Sequence, residues 1–273
     1  MKKTVATLIL IFAFICTGCE DVIQVDVDTA APRLAVEAAI NWQKGTDGNI
    51  QYIKLTTSTG YFENVIPVVS GAVVTVTNSS NKIFNFIENP KTGVYVCSDF
   101  EPKLNETYTL TIVTKGETYT ATEKMYPVAA ITRFTQKNDG GFSGKDIEIK
   151  TYYNDPADEV NFYLYQYNYK NQKKSNLYTD DDTYYNGNEY FSMSQNDSLK
   201  VGEKVNVTHM GISKSYYNYM SVIVSIAGQN GGGPFQSPPS NVRGNVVNTT
   251  NSNNYPLGYF SVSESDSKEY TIE

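Results

Sequence analysis

The chain has little of what enzymes and metal centres are built from. Its 273 residues include one histidine, His209, three cysteines and one tryptophan. A nucleophilic triad needs a base beside its nucleophile, and a zinc site needs several His or Cys ligands. His209 has no such partner in sequence, and no G-x-S-x-G or H-E-x-x-H pattern occurs, so it reads as a surface or loop histidine. Positive charge is also short: 22 Lys and Arg face 29 Asp and Glu, for a net charge of −7. That balance excludes a nucleic-acid partner held by general electrostatics, and it disfavours polyanionic ligands. No apolar run reaches the roughly 20 residues that a membrane-spanning helix needs.

What is present begins at the start of the chain. Met1-Lys2-Lys3 is followed by a short apolar stretch, Val5 to Ile15, and then by Cys16-Thr17-Gly18-Cys19. This order looks like a bacterial lipoprotein signal, cut before Cys19 with the new N-terminal cysteine acylated. Cys16 stands where an aliphatic residue is usual. The competing reading is an ordinary secretory signal, with Cys19 an incidental thiol. Lipidation at Cys19 makes residues 1–18 a signal peptide and 19–32 an acidic tether. Each buried CH₂ contributes about 0.8 kcal/mol, and two or more acyl chains anchor stably without any further membrane signal. Cleavage removes Lys2 and Lys3 and no acid, which leaves 20 basic and 29 acidic residues and a net charge of −9. Cys97 is then the last cysteine, so no intramolecular disulfide can form. Within Val94-Tyr95-Val96-Cys97 it reads as a small buried strand residue.

From Leu34 onward the pattern has period two. Leu34–Ile40, Ile50–Leu55, Ala72–Thr77, Lys82–Ile87, Val94–Val96, Thr107–Val113 and Thr118–Thr122 are short β-prone segments, separated by clusters such as Gly45–Gly48, Asn78–Asn81 and Pro90–Gly93. Such spacing predicts a β-sandwich. The expected fold is mainly β, with an N-terminal immunoglobulin-like β-sandwich over residues 33–127. Pro127 marks the boundary to a second β-rich domain, 128–273, which contains one short helix. That helix is predicted near 214–229, where Tyr216, Tyr219, Met220, Ile223, Ile226 and Ala227 share one helical face. Ser213 or Ser215 supplies its cap, and Asn230-Gly231-Gly232-Gly233 its end. Val222, Ile223 and Val224 keep a strand as the competing reading.

Twenty-two tyrosines are the compositional oddity. Tyr163, Tyr165, Tyr167 and Tyr169 fall on one face of a strand. With Tyr184 and Tyr185 they form a candidate contact surface for a glycan or peptide, since exposed aromatics stack on sugar faces and side chains. The alternative is structural, because tyrosine suits a half-buried strand face. Asp180, Asp182 and Glu189 are oxygen donors that calcium would favour, but their spacing is not that of an EF-hand, and a solvated acidic loop explains them. Asp155, Asp158 and Glu159 could supply paired carboxylates for a hydrolase, yet a Pro-containing turn accounts for them better. The chain is therefore read as non-enzymatic and without a cofactor.

One longer pattern carries a family resemblance. Pro234–Asn248, in the order PFQSPPSNVRGNVVN, is followed by Leu257-Gly258-Tyr259-Phe260-Ser261-Val262-Ser263. With Cys19-Glu20-Asp21, Gly71–Val74, Gly93-Val94-Tyr95 and Asn161-Phe162-Tyr163, it resembles a lipoprotein family of Bacteroidetes, domain of unknown function 4249. The resemblance implies a lipid-anchored outer-membrane protein, facing the periplasm or the cell surface, often encoded beside a TonB-dependent transporter and partnered with it. It implies no known catalytic residues. Gly244 and Gly258 are expected at tight backbone positions. A stand-alone glycan- or peptide-binding module is the second reading, and an exported hydrolase the third.

Overall fold

Alternation decides the strands. In Thr107–Thr114 the residues Tyr108, Leu110 and Ile112 are buried, while the threonines between them stay partly exposed. That is the signature of a strand with one face in a core and the other near water. A computed structural model describes residues 31–60, 62–141, 144–170, 172–227 and 242–273. Residues 32–273 form one compact unit. Cys19, the signal and tether up to residue 30, the glycine run 231–233 and the Pro234–Asn241 part of the C-terminal motif lie outside the described residues.

The first seven strands are β1 (Leu34–Gln43), β2 (Gln51–Thr57), β3 (Val73–Asn78), β4 (Ile83–Asn89), β5 (Val94–Cys97), β6 (Thr107–Thr114) and β7 (Glu117–Lys124). They pair in the order β1-β2-β5-β4 and β3-β6-β7, the strand order of an immunoglobulin constant-type sandwich. β4 belongs to both layers: Ile83–Phe86 pair with β3, and Ile87–Asn89 pair with β5. Between the layers lies an apolar core that includes Val36, Ile40, Ile53, Leu55, Val76, Leu110 and Ile112. Cys97 is buried in this core, as its strand position predicted, and burial raises its thiol pKa to about 11.

The remaining elements are β8 (Ile131–Gly140), β9 (Asp146–Asn154), β10 (Phe162–Tyr169), β11 (Asn176–Asp181), β12 (Glu189–Asn196), β13 (Lys204–Gly211), helix α1 (Lys214–Ala227), β14 (Val247–Asn248) and β15 (Leu257–Thr271). Here β12-β9-β8 make one layer, and β11-β10-β13-β15 belong to the other. Counted within their own module, these strands follow the order of the first sandwich except at the fourth, β11, which pairs only with β10 and so lies in the layer of the third, sixth and seventh strands. The second β-rich region is thus a second sandwich of closely related topology. Its sixth and seventh strands are separated by residues 212–256, which hold α1 and β14.

That excursion ties the modules together. β14 pairs with β7, at one edge of the first sandwich. β15 pairs in parallel with β1 from Leu257 to Ser265, at the opposite edge. It then pairs antiparallel with β13 from Ser265 to Thr271 as the last strand of the second sandwich. Phe260 and Val262 accordingly sit in the first core and Ile272 in the second. Segment 128–273 therefore builds parts of both sandwiches. Gly258 makes the parallel pairing possible: its φ is +91°, and a Cβ there would lie 2.0 Å from the Val36 carbonyl oxygen. A Cβ on Gly244 would in turn meet the Gly258 carbonyl at 1.5 Å. Both are the tight backbone positions expected from the sequence.

The segment between the sandwiches is held by side chains of β15. The Glu264 carboxylate accepts from the Val128 N–H (2.8 Å) and from Lys44 Nζ (2.7 Å), and Asp266 accepts from the Ile131 N–H (2.7 Å). Lys268 donates to the Ile131 carbonyl. Helix α1 begins where Ser213 Oγ accepts from the Tyr216 N–H, as an N-cap should. The same hydroxyl donates to buried Glu123 of β7 (2.9 Å), which also accepts from Tyr259 (3.1 Å). Burial raises the Glu123 carboxyl pKa, so these two hydroxyls and the Lys124 N–H (3.1 Å) hold a group that solvent no longer supports.

Candidate functional site

β10 carries the tyrosine ladder, and its period-two spacing does put Tyr163, Tyr165, Tyr167 and Tyr169 on one face. That face points inward, and all four are buried. The contact surface expected on them is therefore a core. A hydroxyl is costly to bury alone, and three of the four are wired to β9 and the turn after it, while the buried Tyr169 hydroxyl has no hydrogen-bond partner among the described residues. Tyr165 donates to Tyr153 (2.7 Å), Tyr153 to Tyr185 (3.1 Å), Tyr163 to Asp155 (2.6 Å) and Tyr167 to Thr151 (3.0 Å). Desolvation raises the pKa of each phenol, to about 12 for Tyr167, so all stay protonated.

His209 sits inside this network and not on a surface or loop. It lies on β13 and is fully buried, with its ring stacked on Tyr165 at 4.7 Å and close to Tyr153 (4.5 Å) and Tyr163 (4.7 Å). Its place opposite Tyr165 on β10 aims it into the second core. Burial pulls its pKa down to about 3, so it is a neutral aromatic there. Period two along Lys204–Gly211 signals this, because His209 follows buried Val205 and Val207 at even spacing.

The acidic candidates also separate. Asp155 turns inward, accepting from Tyr163 and from the Gly187 N–H (3.0 Å), while Asp158 and Glu159 stay exposed. Asp182 is buried and accepts from the Asn161 N–H (2.8 Å) and Asn186 Nδ2 (3.2 Å). Glu189 pairs with Arg133 on the outer face of β8 (2.8 Å), and Asp180 accepts from the Asp181 N–H (3.0 Å). Asp180, Asp182 and Glu189 thus face different partners. Among the described residues no three His, Cys, Asp or Glu are grouped to hold a metal ion.

These buried carboxylates build a presenting tip. Residues 155–161 connect β9 to β10, and residues 182–188 connect β11 to β12. Asp182 anchors one loop to the other, Asn186 Nδ2 donates to the Glu159 carbonyl (3.0 Å), and Gly187 packs over Ala157. Asp181 caps the short 3-10 turn Asp182–Tyr184 through the Thr183 N–H. The turn projects Tyr184, which is 97% exposed, while Val160 in the adjoining loop is 66% exposed. Tyr185, one residue on, is buried and stacks on Tyr190 at 3.6 Å. Of the six candidate contact tyrosines, only Tyr184 faces solvent. The tip offers an aromatic ring and an aliphatic side chain beside two exposed carboxylates, Asp158 and Glu159, on loops braced from below.

The family described as Domain of unknown function (DUF4249) matches residues 20–269, across both sandwiches and the strand they share. The chain belongs to this family. Among solved structures, this DUF4249 chain is similar to a segment of two fibronectin type III domains from chicken tenascin, with 13% identity over 66% of this chain and 90% of that one and a TM-score of 0.22. It is also similar to the FN1–FN3 domains of chicken CNTN1, with 15% identity over 67% of this chain and 62% of that one and a TM-score of 0.27. No curated protein matches the DUF4249 chain.

Proposed function

We propose that the protein is a non-enzymatic outer-membrane lipoprotein, held by lipid on Cys19, that serves a TonB-dependent transporter as an accessory or ligand-capture partner. The observation that carries this reading is the braced tip, a rigid scaffold presenting Tyr184 and Val160 outward. Preorganised aromatic contacts lose little entropy on binding and recur at interaction hot spots. The groups with chemical potential are instead packed inside: His209 is a neutral core ring, Cys97 is a buried thiol, and the ladder phenols stay protonated. The likeness to the lipoprotein family supports the location and the transporter. Periplasmic and cell-surface orientations both fit this reading.

Recovery of the full-length protein from detergent-solubilised membranes tests it. An outer-membrane barrel is expected to co-purify, and Tyr184→Ala should lower its yield several-fold. If no barrel is recovered, the partner reading fails. The second reading, a stand-alone glycan- or peptide-binding module, now rests on Tyr184 and not on Tyr165 and Tyr167. It predicts ligand retention by the purified protein without a transporter, lost in Tyr184→Ala.

A further inference from the structure

The end of the first sandwich where the chain enters differs from the rest of its surface. β1 starts there at Leu34 and runs parallel to β15, whose far half belongs to the second sandwich, so Arg33 lies at the end remote from that module. β2 returns to the same end, with Thr57 opposite Leu34. From it leaves the β2–β3 connection, fastened to the entry point: the Ser58 N–H donates to the Arg33 carbonyl (2.8 Å) and the Arg33 N–H to Ser58 Oγ (2.9 Å).

That connection exposes four apolar side chains within seven residues of sequence. Phe62 is 74% exposed, Val65 74%, Ile66 60% and Val68 45%. Val73, the first residue of β3, and Ile87 of β4 are also exposed. Its returning leg is braced. The Thr57 N–H donates to Pro67 O (2.9 Å), the Val69 N–H to Leu55 O (2.9 Å), and buried Tyr95 donates to Val69 O (2.8 Å). Gly93 (φ +65°) lets this leg cross over β5, since a Cβ would come within 2.9 Å of Val68. At the same end, Tyr255 lies between two cations, Arg33 at 3.7 Å and Arg243 at 4.2 Å from its ring. Scattered single apolar residues need no explanation, but a contiguous exposed group marks a contact. Aliphatic tips with flanking arginine and tyrosine suit the boundary between headgroups and acyl chains.

The occupant follows from where the chain leads. Arg33 is 14 residues after Cys19, which at about 3.5 Å per residue limits the reach to roughly 50 Å. A lipid-anchored chain therefore holds this end, before any other, near the bilayer at high effective concentration. We propose that residues 62–68 form a second membrane contact, inserting Phe62, Val65 and Ile66 at the lipid interface and setting the sandwich upright on its anchor. This rests on the lipid-anchor reading of Cys19.

The test uses full-length protein purified from membranes and reconstituted in vesicles of phosphatidylethanolamine and phosphatidylglycerol with brominated acyl chains. The sole tryptophan, Trp42, lies near the other end of β1 and serves as the internal control. Phe62→Trp protein should float with the vesicles and show at least about twofold more bromine quenching than the parent, while Tyr184→Trp should show no increase. Flotation without extra quenching at position 62 overturns the membrane contact and leaves the anchor standing. Extra quenching that appears only after a transporter is added also overturns it, because the loop then belongs to a protein interface. A protein whose Cys19 carries no acyl mass and that does not float overturns the anchor and the contact together.

Discussion

The two sandwiches differ in strand pairing only at their fourth strand, yet they are filled with opposite chemistry. The first core is aliphatic and phenylalanine-rich, with Tyr95 and Tyr108 donating to backbone at its margins. The second is built on tyrosines whose hydroxyls meet in the middle, around a histidine that burial keeps neutral. The difference teaches that the topology constrains where side chains point but not whether they are polar. A polar filling is tolerated where most hydroxyls find partners, the Tyr169 hydroxyl being the exception among the ladder tyrosines.

Four expected outcomes break or sharpen this contrast. The largest should come from the strand the sandwiches share. Gly258→Val puts a β-branched side chain at φ +91° and 2.0 Å from the Val36 carbonyl, so β1 and β15 must part. Loss of soluble folded protein in expression trials is expected, and a variant that melts like the parent would refute the shared strand. Next, Leu110→Ala in the aliphatic core should cost about 2–5 kcal/mol in urea titrations. Tyr165→Phe keeps the ring and removes one hydroxyl bond to Tyr153, and should cost about 1–2 kcal/mol. Equal losses would mean that the two cores do not differ in kind.

The third outcome is a pH effect from the histidine of the second core. An unfolded histidine titrates near 6.5, while folded His209 stays neutral down to about 3. The unfolded chain thus gains a proton that the folded chain refuses, and stability falls as pH drops through that window. The slope is up to about 1.4 kcal/mol per pH unit. Buried Asp155 and Glu123, whose pKa values are raised by desolvation, act in the opposite sense, losing stability as pH rises through their own range. The difference between the parent and His209→Phe profiles isolates the histidine, and identical profiles would contradict its burial. The smallest stability effect belongs to Tyr184→Ala, within about 0.5 kcal/mol, because an exposed tip residue supports no core.

Much of this architecture was legible because period two survives in the sequence. The strands from Leu34 to Thr122 stand close to where alternation put them, and α1 matches the predicted helix with Ser213 as its cap. The direction of the Tyr163–Tyr169 face was not legible, since alternation groups residues on a face without saying whether it is covered. The covering comes from Tyr153 and Thr151 on β9, while Tyr178 on neighbouring β11 flanks the face, edge-on to Tyr167. The middle of β15, Glu264-Ser265-Asp266-Ser267, is polar and carries no apolar alternation that would mark a strand. Glu264 and Asp266 are nevertheless buried, since they accept N–H groups from residues 128 and 131, a distant segment that local pattern does not reveal. Of the site, Tyr184 was named among six tyrosines, but its exposure follows from how Asp181 and Asp182 fold the turn beneath it.

β15 also fixes how the molecule bears load. A pull on the N-terminal side reaches the body at Leu34, while anything gripping the second sandwich pulls on the far half of β15. Because β1 and β15 run parallel, with Ala35 opposite Leu257 through to Gln43 opposite Ser265, the two pulls act along the ladder in opposite directions. Its hydrogen bonds are then sheared together and not unzipped one at a time. Tension applied between these two strand ends would load all nine pairs of the ladder at once.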